Sequence, residues 1–225
     1  MSADPPEDNP LLPEHFRRVD ESDDSLFYVQ PRLVNHIDDE AIAALGDFYR
    51  ETFPEGGHLL DLMSSWVSHL PADVTYGGVT GLGMNKAELE ANPVLTRRTL
   101  HDLNQDPVLP YDADEFDGAI ISVSVQYLTR PVEVFAEVGR VLKPGAPFAI
   151  TFSNRMFPTK AVRIWQLFGD EQRANLVALY FELSKAFAKA RAFDLSPAPF
   201  RSDPVYAVVA EALDPSVDSE STGIT

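Results

Sequence analysis

The sequence predicts an α/β protein built on a mostly parallel sheet, and three observations carry the prediction. Leu59–Leu62 and Ala119–Val125 are short, nearly continuous apolar runs, the pattern of strands covered on both faces. Segments of helical period lie between such runs: Ile42, Leu45, Phe48 and Tyr49 share one face of Asp38–Phe53, and Val134, Phe135, Val138 and Leu142 share one face of Pro131–Leu142. Breakers, Pro54-Glu55-Gly56-Gly57 and Lys143-Pro144-Gly145, separate the two kinds of segment. A helix, a turn and a buried strand in succession open an α/β unit. The 225 residues suffice for one sizeable core, so a single domain over 25–212, with 25–56 as an N-terminal cap segment, is expected between disordered acidic tails at 1–24 and 213–225.

In chain order, Ser25–Arg32 is short and aromatic, suited either to lining a pocket with Phe27, Tyr28 and Arg32 or to docking the N-terminal arm. Asp38 or Asp39 caps the helix through Phe53. The first strand ends at Asp61-Leu62, and a short helix is expected over Trp66–Leu70. Val74–Met84 reads as the second strand with its turn, Lys86–Ala91 as a helix and Leu95–Asp102 as the third strand. The fourth strand is Ala119–Val125; Pro131 opens the next helix and Ala146–Ser153 is the fifth strand. Thr159–Phe168 and Asp170–Ala190 are helical by period, and Arg191–Ser196 and Pro204–Ala210 complete the sheet.

Composition excludes several functions. Cysteine is absent, which removes disulfides, thiolate nucleophiles and cysteine zinc sites. The five histidines have no metal-ligand spacing, so no metal is expected. A formal charge of -17 repels phosphate backbones and anionic membranes, and the strongest basic patch is Arg97-Arg98 alone. No run reaches a membrane span, and MSADPPEDNP lacks the features of a signal peptide, so a cytoplasmic protein that binds neither nucleic acid nor membrane is expected. The excess of acids over bases, of Arg over Lys and of Asp over Glu suits a high-salt cytoplasm, where screening offsets self-repulsion; two acidic tails on an ordinary protein are the alternative.

GHLLDLMSSWVSHLP at Gly57–Pro71, YDADEFDGAIISVSVQYL at Tyr111–Leu128 and EVGRVLKPGAPFAITFSN at Glu137–Asn154 together resemble the class I, Rossmann-like S-adenosylmethionine-dependent methyltransferases, in the type 11-like branch related to ubiquinone and menaquinone methyltransferases. The resemblance spans about Gly57–Ala210. It implies a mostly parallel seven-stranded sheet with helices on both faces and a last antiparallel strand, S-adenosyl-L-methionine as cofactor, and an unidentified, small-molecule acceptor. The cofactor-binding residues it implies are Asp61, Met63, Ser64 and Ser65 after the first strand, Met84 and Asn85 after the second, Asp102 and Leu103 after the third, and Ser122 and Val123 at the fourth. Tyr28, Gln126 and Tyr127 are implied on the substrate side. No catalytic residue is identified; His69, Tyr127 or a substrate-facing acid would serve as base.

Two motifs depart from the family pattern. Met63, Ser64 and Ser65 stand where glycines are usual, and Gly83 stands where an acid usually holds the ribose. Ser64 and Ser65 suit either a cofactor carboxylate or an N-cap, Asp102 either adenine or its own turn, and Glu88 either the ribose or solvent. The departures keep a second function open, a non-catalytic binding or regulatory protein with a degenerate cofactor site. Gly77–Gly83 does not fit G-x-G-x-x-G, which disfavours a nucleotide-linked oxidoreductase. The sequence leaves the oligomeric state open.

Overall fold

The computed structural model describes residues 10–198, 201–214 and 216. Expectations for the remaining tail residues lie outside the described residues. Seven strands, β1 (His58–Leu62), β2 (Gly78–Gly83), β3 (Arg97–Leu100), β4 (Gly118–Ser122), β5 (Pro147–Ser153), β6 (Arg191–Asp194) and β7 (Val205–Glu211), form one sheet in the order β3-β2-β1-β4-β5-β7-β6. Strands β1 to β5 run parallel to one another, and β7 runs antiparallel to both β5 and β6. Among the described residues six α-helices flank it: α1 (Asp24–Tyr28), α2 (Asp39–Thr52), α3 (Lys86–Ala91), α4 (Pro131–Val141), α5 (Arg163–Leu167) and α6 (Asp170–Ser184).

The period of two along each strand divides the core between the sheet's faces. Leu60, Leu62, Ala119 and Ile121 join one cluster with Phe135 of α4 and Phe181 of α6, whose rings lie 4.8 Å apart. Leu59, Ile120 and Ala149 point the other way, onto Ala41, Leu45 and Tyr49 of α2. Asp38 caps α2 by accepting from the Ala41 N–H at 2.9 Å, and α6 stops at Lys185, which takes left-handed backbone at φ 57°.

Several boundaries move. Residues 11–24, expected as tail, pack on the domain: Leu11 is buried in the larger core cluster, and Asp24 pairs with Arg18 at 2.7 Å and with the fully buried Lys160 at 3.1 Å. A charge taken out of water needs such a partner, so Lys160 and Arg18 anchor a segment whose composition reads as solvated. Trp66–Leu70 is not helical. The Ser68 hydroxyl donates to Asp61, the Trp66 indole to the Val34 carbonyl, and Asn92 Nδ2 to the Ser65 carbonyl. These side chains draw the backbone away from helical pairing, and Pro71 follows at once. Strand β2 starts at Gly78, β3 shortens to Arg97–Leu100, the Thr159–Phe168 helix contracts to α5, and α6 ends before Lys185.

Candidate functional site

Strands β1 and β4 are neighbours, with β2 and β3 laid outward on one side and β5, β7 and β6 on the other. The carboxyl ends of strands at such a switch point open into a crevice, because the connections leave in opposite directions. Here that crevice is a cleft of ≈ 370 Å³, within the size range of small-molecule sites. Its floor is the tips of β1 to β4, and residues 24–36 cover it.

At the floor, Met63 after β1 and Val123 after β4 both adopt positive φ, 53° and 52°. Left-handed backbone costs an L-residue of this kind on the order of 1–3 kcal/mol and persists where the surroundings over-determine it. Val123 is held by Thr151, whose carbonyl accepts its N–H at 2.8 Å, and by Gln126, whose Nε2 donates to its carbonyl at 2.9 Å. The turn after β1 is fixed by the Ser64 N–H donating to the Leu82 carbonyl at 2.8 Å. Met63 thus follows a backbone path that suits glycine, with a side chain packed against the larger core cluster.

Asp61 is buried at the end of β1, and one of its oxygens accepts from the Ser64 and Ser68 hydroxyls, each at 2.6 Å. Burial pushes its carboxyl up to about 6 against the opposing effect of these two hydroxyls. Ser64 is therefore neither a free donor nor an N-cap; it orients Asp61.

Gly83 at the tip of β2 is enforced by packing. A Cβ there would collide with the Ser64 carbonyl oxygen, so the turn after β1 occupies the space an acid would need. Asn85, expected among the cofactor-binding residues, lines the cleft with its amide already engaged: Oδ1 caps α3 by accepting from the Glu88 N–H at 3.1 Å, and Nδ2 donates to the Tyr28 carbonyl at 2.8 Å. Met84 lines the cleft. The acid reaches the cleft from one helical turn further on. Glu88 is 7% exposed, lines the cleft, and accepts from the Ser65 hydroxyl at 2.6 Å and from the Arg32 N–H at 2.7 Å.

Beyond β3, Asp102 and Leu103 both line the cleft. Asp102 Oδ1 accepts from the Asn104 N–H at 2.9 Å, closing the turn, and among the described residues Oδ2 has no such bond. Asn104 joins three segments: Nδ2 donates to Asp24 and to the Tyr127 carbonyl, and Oδ1 accepts from Thr129. At β4, Ser122 lines the cleft but its hydroxyl is 2.7 Å from the Tyr49 phenol oxygen. Tyr127 lines the cleft and its oxygen accepts from the Phe157 N–H at 2.8 Å. Gln126 does not reach it; buried beneath, it supports Val123.

The cover includes Tyr28, Arg32 and His36, and His69 stands on the loop below. Burial, with a smaller contribution from His36, lowers His69 to about 4, so its imidazole is neutral near pH 7. Its Nδ1 is buried without a hydrogen-bond partner among the described residues. Arg155, Met156 and Phe157 after β5 also line the cleft and were not singled out from the sequence. The available signal was topological: a polar loop directly after a central parallel strand lies at the same edge as the other strand tips.

Acids near the tips of β1 and β3 and on α3, a floor of strained turns and an open volume together fit an adenosyl cofactor. Met63 and Trp66 line the cleft without filling it. Among the described residues no cluster of His, Asp and Glu is placed to hold a metal, and no helix is long and apolar enough to cross a membrane.

This architecture is the Rossmann-like fold of the S-adenosylmethionine-dependent methyltransferases. Residues 66–150 match the family described as "Methyltransferase domain", a match that begins beyond the turn after β1. Among solved structures, the [4+2]-cyclase SpnF aligns with a TM-score of 0.59 at 15% identity, over 84% of this chain and 91% of that one. A chain of the complex between the Haloferax volcanii Trm112 methyltransferase activator and a methyltransferase aligns at 0.57 and 15%, over 78% and 91%. A SAM-dependent methyltransferase from Aquifex aeolicus aligns at 0.56 and 14%, over 77% and 92%. A stretch of 43 residues is 44% identical to the biotin biosynthesis bifunctional protein BioHC of Teredinibacter turnerae, amounting to 19% of this chain and 8% of that protein.

Proposed function

We propose that the protein is an S-adenosylmethionine-dependent methyltransferase acting on a small acceptor. The observation that carries this is the cleft at the β1/β4 switch point, floored by Met63 and Val123 in left-handed backbone. Asp102 Oδ2 would take the adenine amino group, Glu88 would hold the ribose hydroxyls, and the backbone of the Ser64–Ser65 turn would receive the methionyl end. The cofactor supplies a methyl group on a sulfonium that is its own leaving group, so the protein's work is alignment and exclusion of water. The 24–36 cover excludes water, Tyr127 and Phe157 bound the acceptor side, and neutral His69 is positioned to accept a proton from an acceptor hydroxyl or amine. A cytoplasmic, high-salt setting follows from the composition and is part of the same proposal.

The second reading, a non-catalytic binding or regulatory protein with a degenerate cofactor site, is favoured by the collision that bars an acid at position 83 and by the commitment of Asn85. The likeness to a cyclase shows that this fold carries other chemistry. Thermal unfolding in molar KCl with S-adenosylmethionine or S-adenosylhomocysteine separates the readings. Methyl transfer requires a rise in Tm of several degrees at saturation, on the order of 2–4 kcal/mol of linkage, and no rise with either compound rejects it.

A further inference from the structure

We propose that the cleft binds an acceptor carrying a carboxylate, and that Arg32 is the group that holds it. Arg32 is fixed from three sides. Its N–H donates to Glu88 at 2.7 Å, its Nη2 donates to the Phe27 carbonyl at 3.0 Å, and its guanidinium carbon lies 4.2 Å from the Phe27 ring centroid and 5.2 Å from that of Phe157. The remaining terminal nitrogen, Nη1, is buried and meets no hydrogen-bond partner among the described residues. Nor does Arg32 form an ion pair among the described residues, although the neighbouring cations all do: Arg18 and Lys160 share Asp24, and Arg155 pairs with Asp203 at 2.8 Å.

An unneutralised guanidinium is unexpected in a chain of charge -17, where acids are plentiful. Leaving a charged N–H unpaired is unfavourable, and the cost is recovered when a planar anion takes the fork. The aromatic faces stabilise the cation and hold its plane without consuming its donors.

Position assigns this group to the acceptor. Phe157 follows β5 and Tyr127 follows β4, whereas the acids suited to the adenosyl part stand near the tips of β1, β2 and β3. Tyr28, Tyr127, Met156 and Phe157 all line the cleft, and the Tyr127 and Phe157 rings stack at 6.0 Å beside Arg32, so the body attached to the carboxylate is flat and apolar. The carboxylate site stands on the geometry alone; only the word acceptor rests on the methyl-transfer reading. The competing source of the same chemistry is the amino-acid carboxylate of the cofactor.

Benzoate and its neutral isostere benzamide are the probes, titrated against the full chain in molar KCl by thermal unfolding and by NMR line shape, with S-adenosylhomocysteine measured in parallel. The proposal predicts saturable binding of benzoate, at least about tenfold weaker binding of benzamide, loss of the benzoate response in Arg32→Gln with partial retention in Arg32→Lys, and an affinity for S-adenosylhomocysteine within about threefold of the parent in Arg32→Gln. Equal binding of the two probes by the unaltered protein overturns the proposal, whatever the variants do. If Arg32→Gln loses S-adenosylhomocysteine and keeps benzoate, the carboxylate is the cofactor's and the acceptor assignment fails. Benzoate binding that depends on Arg32, in a protein indifferent to S-adenosylhomocysteine, upholds the anion site and removes methyl transfer.

Discussion

The Glu88 carboxylate accepts the Ser65 hydroxyl at 2.6 Å, joining α3 to the turn after β1 across the mouth of the cleft. Its second oxygen accepts the Arg32 N–H, so one acid on α3 ties the cover and the turn after β1 together. The collision that excludes a side chain at Gly83 is thereby matched by an acid arriving from the next helix.

Glu88→Gln keeps an acceptor for the Arg32 N–H and replaces the other oxygen with an NH2 to which the Ser65 hydroxyl must turn and accept, removing the charge, whereas Glu88→Ala releases both the turn and the cover. Stability is expected to fall by about 1–3 kcal/mol in the alanine variant and by less in the glutamine variant. S-adenosylhomocysteine affinity should drop by at least about tenfold in both. Denaturant melts and calorimetry read the two effects separately.

Asp102→Asn preserves the oxygen that closes the Asp102–Asn104 turn and removes the carboxylate beside it. Cofactor affinity is expected to weaken by about tenfold with an unchanged melting temperature. Asp102→Ala should lose the turn as well, at a cost of about 1 kcal/mol. Unchanged affinity in the asparagine variant would remove Asp102 from the adenine site.

Asp61 and His69 titrate in opposite senses. The Asp61 carboxyl is raised to about 6 by burial, so its contribution is complete below the ordinary value of 3.8 and is lost as pH rises through 6. His69 is lowered to about 4 by burial, so its contribution is complete above 6.5 and is lost as pH falls through 4. Asp61→Asn should therefore give a protein whose stability rises more steeply from pH 4 to 6.5 than the parent's, and His69→Gln one whose stability rises less or falls. Urea midpoints across that window check both slopes.

Val123 is a β-branched residue in left-handed backbone. Val123→Gly relieves the strain and Val123→Ala retains most of it, so the glycine variant should be at least as stable as the alanine variant, against the ordinary penalty of about 1 kcal/mol for glycine. Thermal melts of the pair decide it.

A surface carrying -17 charges repels itself when screening is removed. Dialysis from molar to millimolar KCl is expected to lower the melting temperature; an increase would reject the high-salt setting.

The sheet was legible because its signals are local. Apolar runs without alternation, Pro131 at a helix start and Lys143-Pro144-Gly145 before β5 each determine a boundary within a few residues. The site was legible by position only. Asp61, Met63, Asp102, Leu103 and Val123 fall at the cleft because strand tips do, but the bonds that join these turns to one another and to the cover, Ser65 and Arg32 to Glu88 and Val123 to Thr151, come from distant segments. Asn85 lines the cleft, but its cap on α3 and its bond to Tyr28 are invisible in the sequence, and Gln126 reads as a substrate contact although its amide faces inward. The packing of 11–24 depends on Lys160, about 140 residues away, a pairing that no periodicity records.

The most direct measurement is a structure of the protein with saturating S-adenosylhomocysteine in high salt. Methyl transfer predicts the adenine beside Asp102 and Leu103, the ribose toward Glu88, the methionyl carboxylate at the Ser64–Ser65 turn, and the sulfur facing Tyr127. A cleft that excludes the compound, with Met63 and Trp66 closed across its floor, would contradict it.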